Sequence, residues 1–140
     1  HRPVLLAEVL QILAPPAGGL AVDCTTGWAG HSAAMLERVG PGGRLVALDL
    51  DPENLQRARE RLEAVGNPFS LHHLNFAGVA TALAGERADG LLADLGMSSM
   101  QVDDAERGFS YRRDGPLDMR MDRTRGRTAA EVLAAMEPAE

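Results

Sequence analysis

The sequence predicts an α/β protein built on a doubly wound parallel sheet, and three observations carry that reading. Short apolar runs alternate with segments of helical periodicity in a β-α-β-α-β-α-β order. A glycine-bearing turn follows the first apolar run, where such folds bring backbone amides and a helix N-terminus to a ligand. A long polar stretch, Asp94 to Asp122, follows the fourth run, at the strand end where these folds place ligands.

The elements follow in order. Leu5, Leu6, Val9, Leu10 and Leu13 form one helical stripe, stopped by Pro15-Pro16. Leu20 to Thr25 is a first strand, and Thr26 to His31 the turn after it. Ser32 to Val39 is helical, with Gly40-Pro41 as its stop. Leu45 to Leu48 is a second strand ending on Asp49. Asp51-Pro52 starts the next helix, because Asp caps free amides and Pro suits a first turn. Leu55, Ala58, Leu62 and Val65 give its buried stripe, and Gly66 ends it. Phe69 to Leu74 is a third strand, and a short helix covers Gly78 to Ala84. Gly90 to Leu95 is a fourth strand, apolar nearly throughout and therefore expected to be central and parallel. A long loop follows Asp94, and Thr128-Ala129-Ala130-Glu131 is a capping box opening a last helix. Four strands are thin for this architecture, so the chain reads as a fragment whose remaining strands are missing.

Bulk properties bound the function. The 140 residues fit one domain, and 45% hydrophobic with 24% charged residues is ordinary for a globular protein. No apolar run approaches the roughly 20 residues needed to span a bilayer. No signal segment opens the chain, although the start at His1 leaves room for a removed leader. The single Cys24 excludes an internal disulfide framework and fits a reducing compartment. A net charge of −6 argues against nonspecific coating of nucleic acid. All fourteen basic residues are arginine, and seven of them fall between Arg107 and Arg127. Such a cluster suits a phosphate-bearing partner. Asp103, Asp104, Glu106, Asp114, Asp118 and Asp122 are interleaved with it, so a salt-bridged loop is an equal reading.

The turn decides between two cofactor classes. A dinucleotide wants Gly-x-Gly-x-x-Gly, and this chain places Gly27, Ala29 and Ser32 at the three glycine positions. Asp23 at the strand end is awkward beside a pyrophosphate. It suits a cofactor with an amine-bearing group, such as the methionine moiety of S-adenosylmethionine (SAM). Asp49 is placed to accept ribose hydroxyls of an adenosine, and its replacement is expected to leave folding nearly intact. Phe76, just beyond the third strand, is a weaker candidate for an adenine face. Asp94 ends the fourth strand on the same crevice, with Ser98, Ser99 and Gln101 adding short-range donors and acceptors. His31 could cap its helix or touch the cofactor. His72 and His73 alternate faces of a strand and read as structural. The chain has no lysine, so the Gly-x-x-x-x-Gly-Lys phosphate loop is absent.

Several blocks resemble a known family. They are His1-Arg2-Pro3-Val4-Leu5-Leu6, Asp23-Cys24-Thr25, Gly30-His31-Ser32, Asp49-Leu50-Asp51-Pro52, Asn75-Phe76 and the whole run from Asp94 to Asp122. Collinear over nearly all the chain, they resemble the N-terminal part of the ribosomal RNA small subunit methyltransferase H family, also called MraW. Glu106-Arg107-Gly108-Phe109-Ser110 and Pro116-Leu117-Asp118-Met119-Arg120-Met121-Asp122 are specific, since generic Rossmann-like methyltransferases lack them. The resemblance implies a Rossmann-like, SAM-dependent enzyme methylating the N4 amine of a cytidine in small-subunit ribosomal RNA. It puts SAM contacts on Ala29, Gly30, His31, Asp49, Phe76, Asp94 and Gln101, names no metal, and leaves the catalytic acceptor group unassigned. The implied partner is small-subunit ribosomal RNA or a 30S-type subunit, with no membrane. The implied setting is a bacterial-type cytoplasm, or a mitochondrion if a leader was removed. Residues 1–127 would be the N-terminal part of the SAM domain, and 128–140 the start of a helical insert. A piece of this extent is expected to be inactive on its own. The family turn commonly reads Gly-x-Gly-Gly-His, where this chain has Gly27-Trp28-Ala29-Gly30-His31. Ala29 costs up to about 1 kcal/mol if its backbone angle is unusual, and little otherwise. Two rival readings stand beside this one: a non-catalytic nucleotide- or RNA-binding module, and, behind it, a nicotinamide-dependent enzyme.

Overall fold

The computed structural model describes residues 3–136. His1-Arg2 of the opening block and the tail from Glu137 lie outside the described residues. The chain divides into two compact units at Leu95/Gly96.

The first unit holds the sheet. Strands β1 (Leu20–Asp23), β2 (Arg44–Asp49), β3 (Phe69–His73) and β4 (Gly90–Leu92) are all parallel, in the order β3-β2-β1-β4. Helix α1 (Leu6–Leu13) precedes β1, and helices α2 (Gly30–Val39), α3 (Pro52–Val65) and α4 (Val79–Leu83) connect successive strands. Side chains alternate between two cores, as strand period dictates. Ala21, Leu45 and Ala47 join Ala33, Met35 and Leu36 of α2 and Ala58 and Leu62 of α3. Leu20, Val22, Val46 and Leu48 pack on the other face with Val79, Ala82 and Leu83. Apolar groups on both faces make this a doubly wound sheet.

Local chemistry explains the element ends. Asp51 accepts from the Glu53 amide at 3.0 Å and Pro52 opens α3, while Gly66 closes it in the left-handed region. Asn75 caps a 3-10 turn, Phe76–Gly78, that runs into α4. Leu5 falls outside the first helix and is exposed. The fourth strand departs from expectation. It is three residues long, pairs only with β1 and leaves Leu91 exposed, so within the described residues it stands at the edge of the sheet. An apolar run alone does not distinguish a strand with two neighbours from one with a single neighbour.

The second unit is mostly irregular, with α5 (Ser99–Asp103), a 3-10 turn at Ala105–Arg107 and α6 (Ala129–Ala134). Thr128 and Glu131 form the expected capping box of α6. Polar groups, not apolar ones, fill the interior: Arg107, Asp118 and Asp122 are buried. Arg107 donates to the carbonyls of Arg120 and Met121 at 3.2 and 2.9 Å. Arg120 grips Asp118 with two parallel bonds of 2.8 and 2.7 Å, which holds the Asp118 carboxyl well below the usual carboxylate range. Arg125 pairs with Asp122 at 2.6 Å. These three arginines belong to the loop's internal frame, the salt-bridged alternative read from the interleaved charges.

Candidate cofactor site

Parallel pairing brings the C-terminal ends of β1, β2, β3 and β4 to one edge of the sheet. Asp23 is in register with Ala47 and Leu92, and Asp49 with His73. Asp94 lies two residues beyond β4, and Phe76, which opens the 3-10 turn after β3, is 48% exposed. Asp23, Asp49, Phe76 and Asp94 therefore share that edge. Gln101 belongs to the second unit. Its Oε1 accepts from the Ser98 amide at 2.9 Å while Ser98 Oγ accepts from the Gln101 amide at 3.2 Å, a capping box that opens α5.

The β1–α2 turn is braced from three sides. Thr26 sends its amide and its hydroxyl to the Leu48 carbonyl, at 3.0 and 2.9 Å. Gly27 donates its amide to Asp49 Oδ2 at 2.7 Å. Thr25 Oγ1 accepts from the Asp94 amide at 2.8 Å. Asp49 Oδ1 also accepts from the Asp51 amide at 2.8 Å and, at 3.4 Å, from Asn54. Asp49 is thus a brace between two strand ends, which removes the ground for expecting folding to ignore its loss. Three of the roughly four acceptor positions of a carboxylate are in use, so little more than one remains for a ligand.

Asp23 is the more unusual acid. Its side chain is fully buried. Oδ2 accepts from Ser32 Oγ at 2.6 Å and Oδ1 from the Thr25 amide at 3.0 Å. No arginine pairs with it among the described residues. Burial pushes its carboxyl above the ordinary range, against the opposing pull of the Ser32 bond, and burial raises Asp49 as well. Ser32, Thr25 and Thr26 were not singled out from the sequence as site residues. The only available signal was that hydroxyls cluster beside a strand-end acid.

A raised folded-state pKa has a definite sign. The stability it contributes is present at low pH and lost as pH rises through the folded value, so ionised Asp23 weakens the ligand-free fold at neutral pH. Asp23→Asn should therefore stabilise the chain by on the order of 1 kcal/mol at pH 7, with the gain shrinking toward pH 4. Denaturant melts at both pH values check this. A variant less stable than the parent at pH 7 would show that the Ser32 and Thr25 bonds outweigh the desolvation.

The other candidate positions divide. His31 Nε2 donates to the Val4 carbonyl at 2.9 Å, so the ring ties the N-terminal segment to α2 instead of capping the helix. Gly30 lies against Pro3. Ala29 is the N-cap of α2 with φ +56° and ψ +36°, the left-handed region, so its angle is the unusual one. That strain, about 1 kcal/mol, is nearly offset by its buried methyl, about 0.8 kcal/mol. Trp28 beside it is half-buried, with the Arg57 guanidinium 4.5 Å from its ring centroid.

A profile of the MraW methylase family matches residues 1–140. The chain belongs to the MraW methylase family. Ribosomal RNA small subunit methyltransferase H of Leptothrix cholodnii is 52% identical over 139 residues, covering 96% of this chain and 43% of the relative. Its counterpart in Rubrobacter xylanophilus is 53% identical over 143 residues, covering 100% and 45%. The chain thus spans less than half the length of these MraW relatives. Among solved structures, NSun6 from Pyrococcus horikoshii with SFG superposes with a TM-score of 0.57 at 19% identity, over 68% of this chain and 24% of that one. That likeness concerns the fold. Within the MraW family reading, Asp49, Phe76 and Asp94 come to one strand edge, Ala29, Gly30 and His31 form the start of α2, and Gln101 caps α5.

Proposed function

We propose that the chain is the cofactor-binding portion of a SAM-dependent methyltransferase that modifies the N4 amine of a cytidine in small-subunit ribosomal RNA. The observation that carries the cofactor is Asp23: a buried carboxylate with no arginine paired to it among the described residues, one glycine turn away from a second carboxylate, Asp49. Such a pair suits a ligand with an amine at one end and a ribose in the middle. The names of relatives about half identical to this chain support the RNA substrate.

The residues fit the roles. Asp49 keeps acceptor capacity for a ribose hydroxyl, and its bond to Gly27 sets the turn before the ligand arrives. Asp23 offers charge for an ammonium group, and Phe76 an open ring for an adenine face. The bound cofactor would supply a methyl group on a sulfonium, electrophilic enough for a weakly basic aromatic amine. The chain's part is to hold donor and amine in line at near-attack distance. The target base must reach the site from a single strand or by extrusion.

The nicotinamide reading is disfavoured by the turn itself. Ser32 stands at the third glycine position, and its hydroxyl fixes Asp23 beside the place where a pyrophosphate would lie. Titration calorimetry with SAM, S-adenosylhomocysteine and NAD tests the assignment. The adenosyl ligands should bind and NAD should not. NAD binding as tight as theirs would overturn it. Methyl incorporation into small-subunit RNA by a longer form of the protein tests the substrate.

A further inference from the structure

We propose that the tip Phe109–Asp114 of the second unit is a contact for single-stranded RNA, with Tyr111 stacking on a base and Arg112 meeting the phosphate backbone. This rests on the ribosomal RNA reading above and names residues that would touch that substrate.

The clustered arginines differ in their partners. Arg107, Arg120 and Arg125 point into the loop frame and are held by carbonyls or carboxylates. Arg112 is exposed and forms no ion pair among the described residues; its guanidinium lies 5.9 Å from the Tyr111 ring. Tyr111, the only tyrosine, is 93% exposed, the most exposed of the large apolar or aromatic side chains. Arg113 beside it donates to the Asp103 carbonyl at the root of the loop.

The tip is presented, not merely left loose. Gly108 at its start and Gly115 at its end each press on backbone across the loop: a Cβ there would lie 2.2 Å from the Pro116 carbonyl oxygen and 2.2 Å from that of Ala105. Met119 donates its amide to the Arg107 carbonyl at 3.0 Å, closing the neck. Ser110 Oγ accepts from the Arg112 amide at 3.2 Å and sets the turn at the tip. An open ring next to a guanidinium on a fixed neck is the combination that binds single strands, because every base has a face to stack and every linkage a charge to meet. The neighbouring acid Asp104 is occupied capping the 3-10 turn through the Glu106 amide.

The test measures affinity for a single-stranded oligoribonucleotide of mixed sequence and for small-subunit ribosomal RNA, across a salt series. Tyr111→Ala should weaken both by about tenfold, and Tyr111→Trp should restore them. Arg112→Ala should lower the salt slope by about one unit. S-adenosylhomocysteine affinity and melting temperature serve as controls and should stay at parent values, since both side chains are exposed. Parent binding to RNA with no change in Tyr111→Ala would overturn this proposal and leave the substrate reading standing. Failure of the parent to bind either RNA would overturn both. With 30S-type particles as a third ligand, a loss of affinity in Tyr111→Ala seen there and with neither RNA would make the tip a protein contact and overturn it as well.

Discussion

Asp49→Ala is expected to weaken SAM binding by about 1.5–3 kcal/mol and, separately, to lower stability by about 1–3 kcal/mol. The first effect follows from losing a charged acceptor at the ribose position. The second follows because the amides of Gly27 and Asp51 lose their common partner. Asp49→Asn should behave almost as badly. Both carboxylate oxygens accept from backbone amides, so an Asn must turn its NH2 group toward one of them. Calorimetry with S-adenosylhomocysteine and a denaturant melt separate the two effects. A variant that loses stability yet keeps parental affinity for the remaining folded fraction would make Asp49 a brace only.

The other large effect is steric. Gly108→Ala should destabilise the second unit by about 3 kcal/mol, combining a left-handed backbone at φ +71° with a methyl driven into Pro116 and Asp118 backbone atoms. Gly126→Ala is the control. Its φ is +80°, yet nothing lies within 4 Å of the new carbon, so it should cost only about 1 kcal/mol. Hydrogen exchange should show early opening of the Arg107–Asp118 segment in Gly108→Ala alone. Equal costs for the two variants would mean that the neck yields readily and the clash is relieved.

Much of the fold could be read from the chain because local chemistry and tertiary structure agree there. The alternating faces of Leu20–Val22 and Leu45–Leu48, the Asp51-Pro52 start and the Gly66 stop are all written within a few residues. The strand-end acids were legible for the same reason: a polar residue closing an apolar run marks the sheet edge where ligands bind. What stayed hidden depends on distance. The Ser32–Asp23 and Asp94–Thr25 bonds join separate segments, and the left-handed angle of Ala29 is imposed by the turn, not by alanine. Gln101 is different. Ser98-Ser99-Met100-Gln101 fits the capping-box spacing, so its structural bonds were readable, but the resemblance directed attention to a cofactor role. The arginine cluster was not legible in the same way, because interleaved charges do not say which partner each guanidinium has chosen.

Trp28 gives the molecule its own optical gauge. It is the only tryptophan in the chain, and it adjoins Gly27, whose amide is held by Asp49. A guanidinium over an indole face changes the local field that sets the emission, and Arg57 stands over this one. Fluorescence from a single unlabelled residue therefore reads the state of the glycine turn, free of background from any other indole.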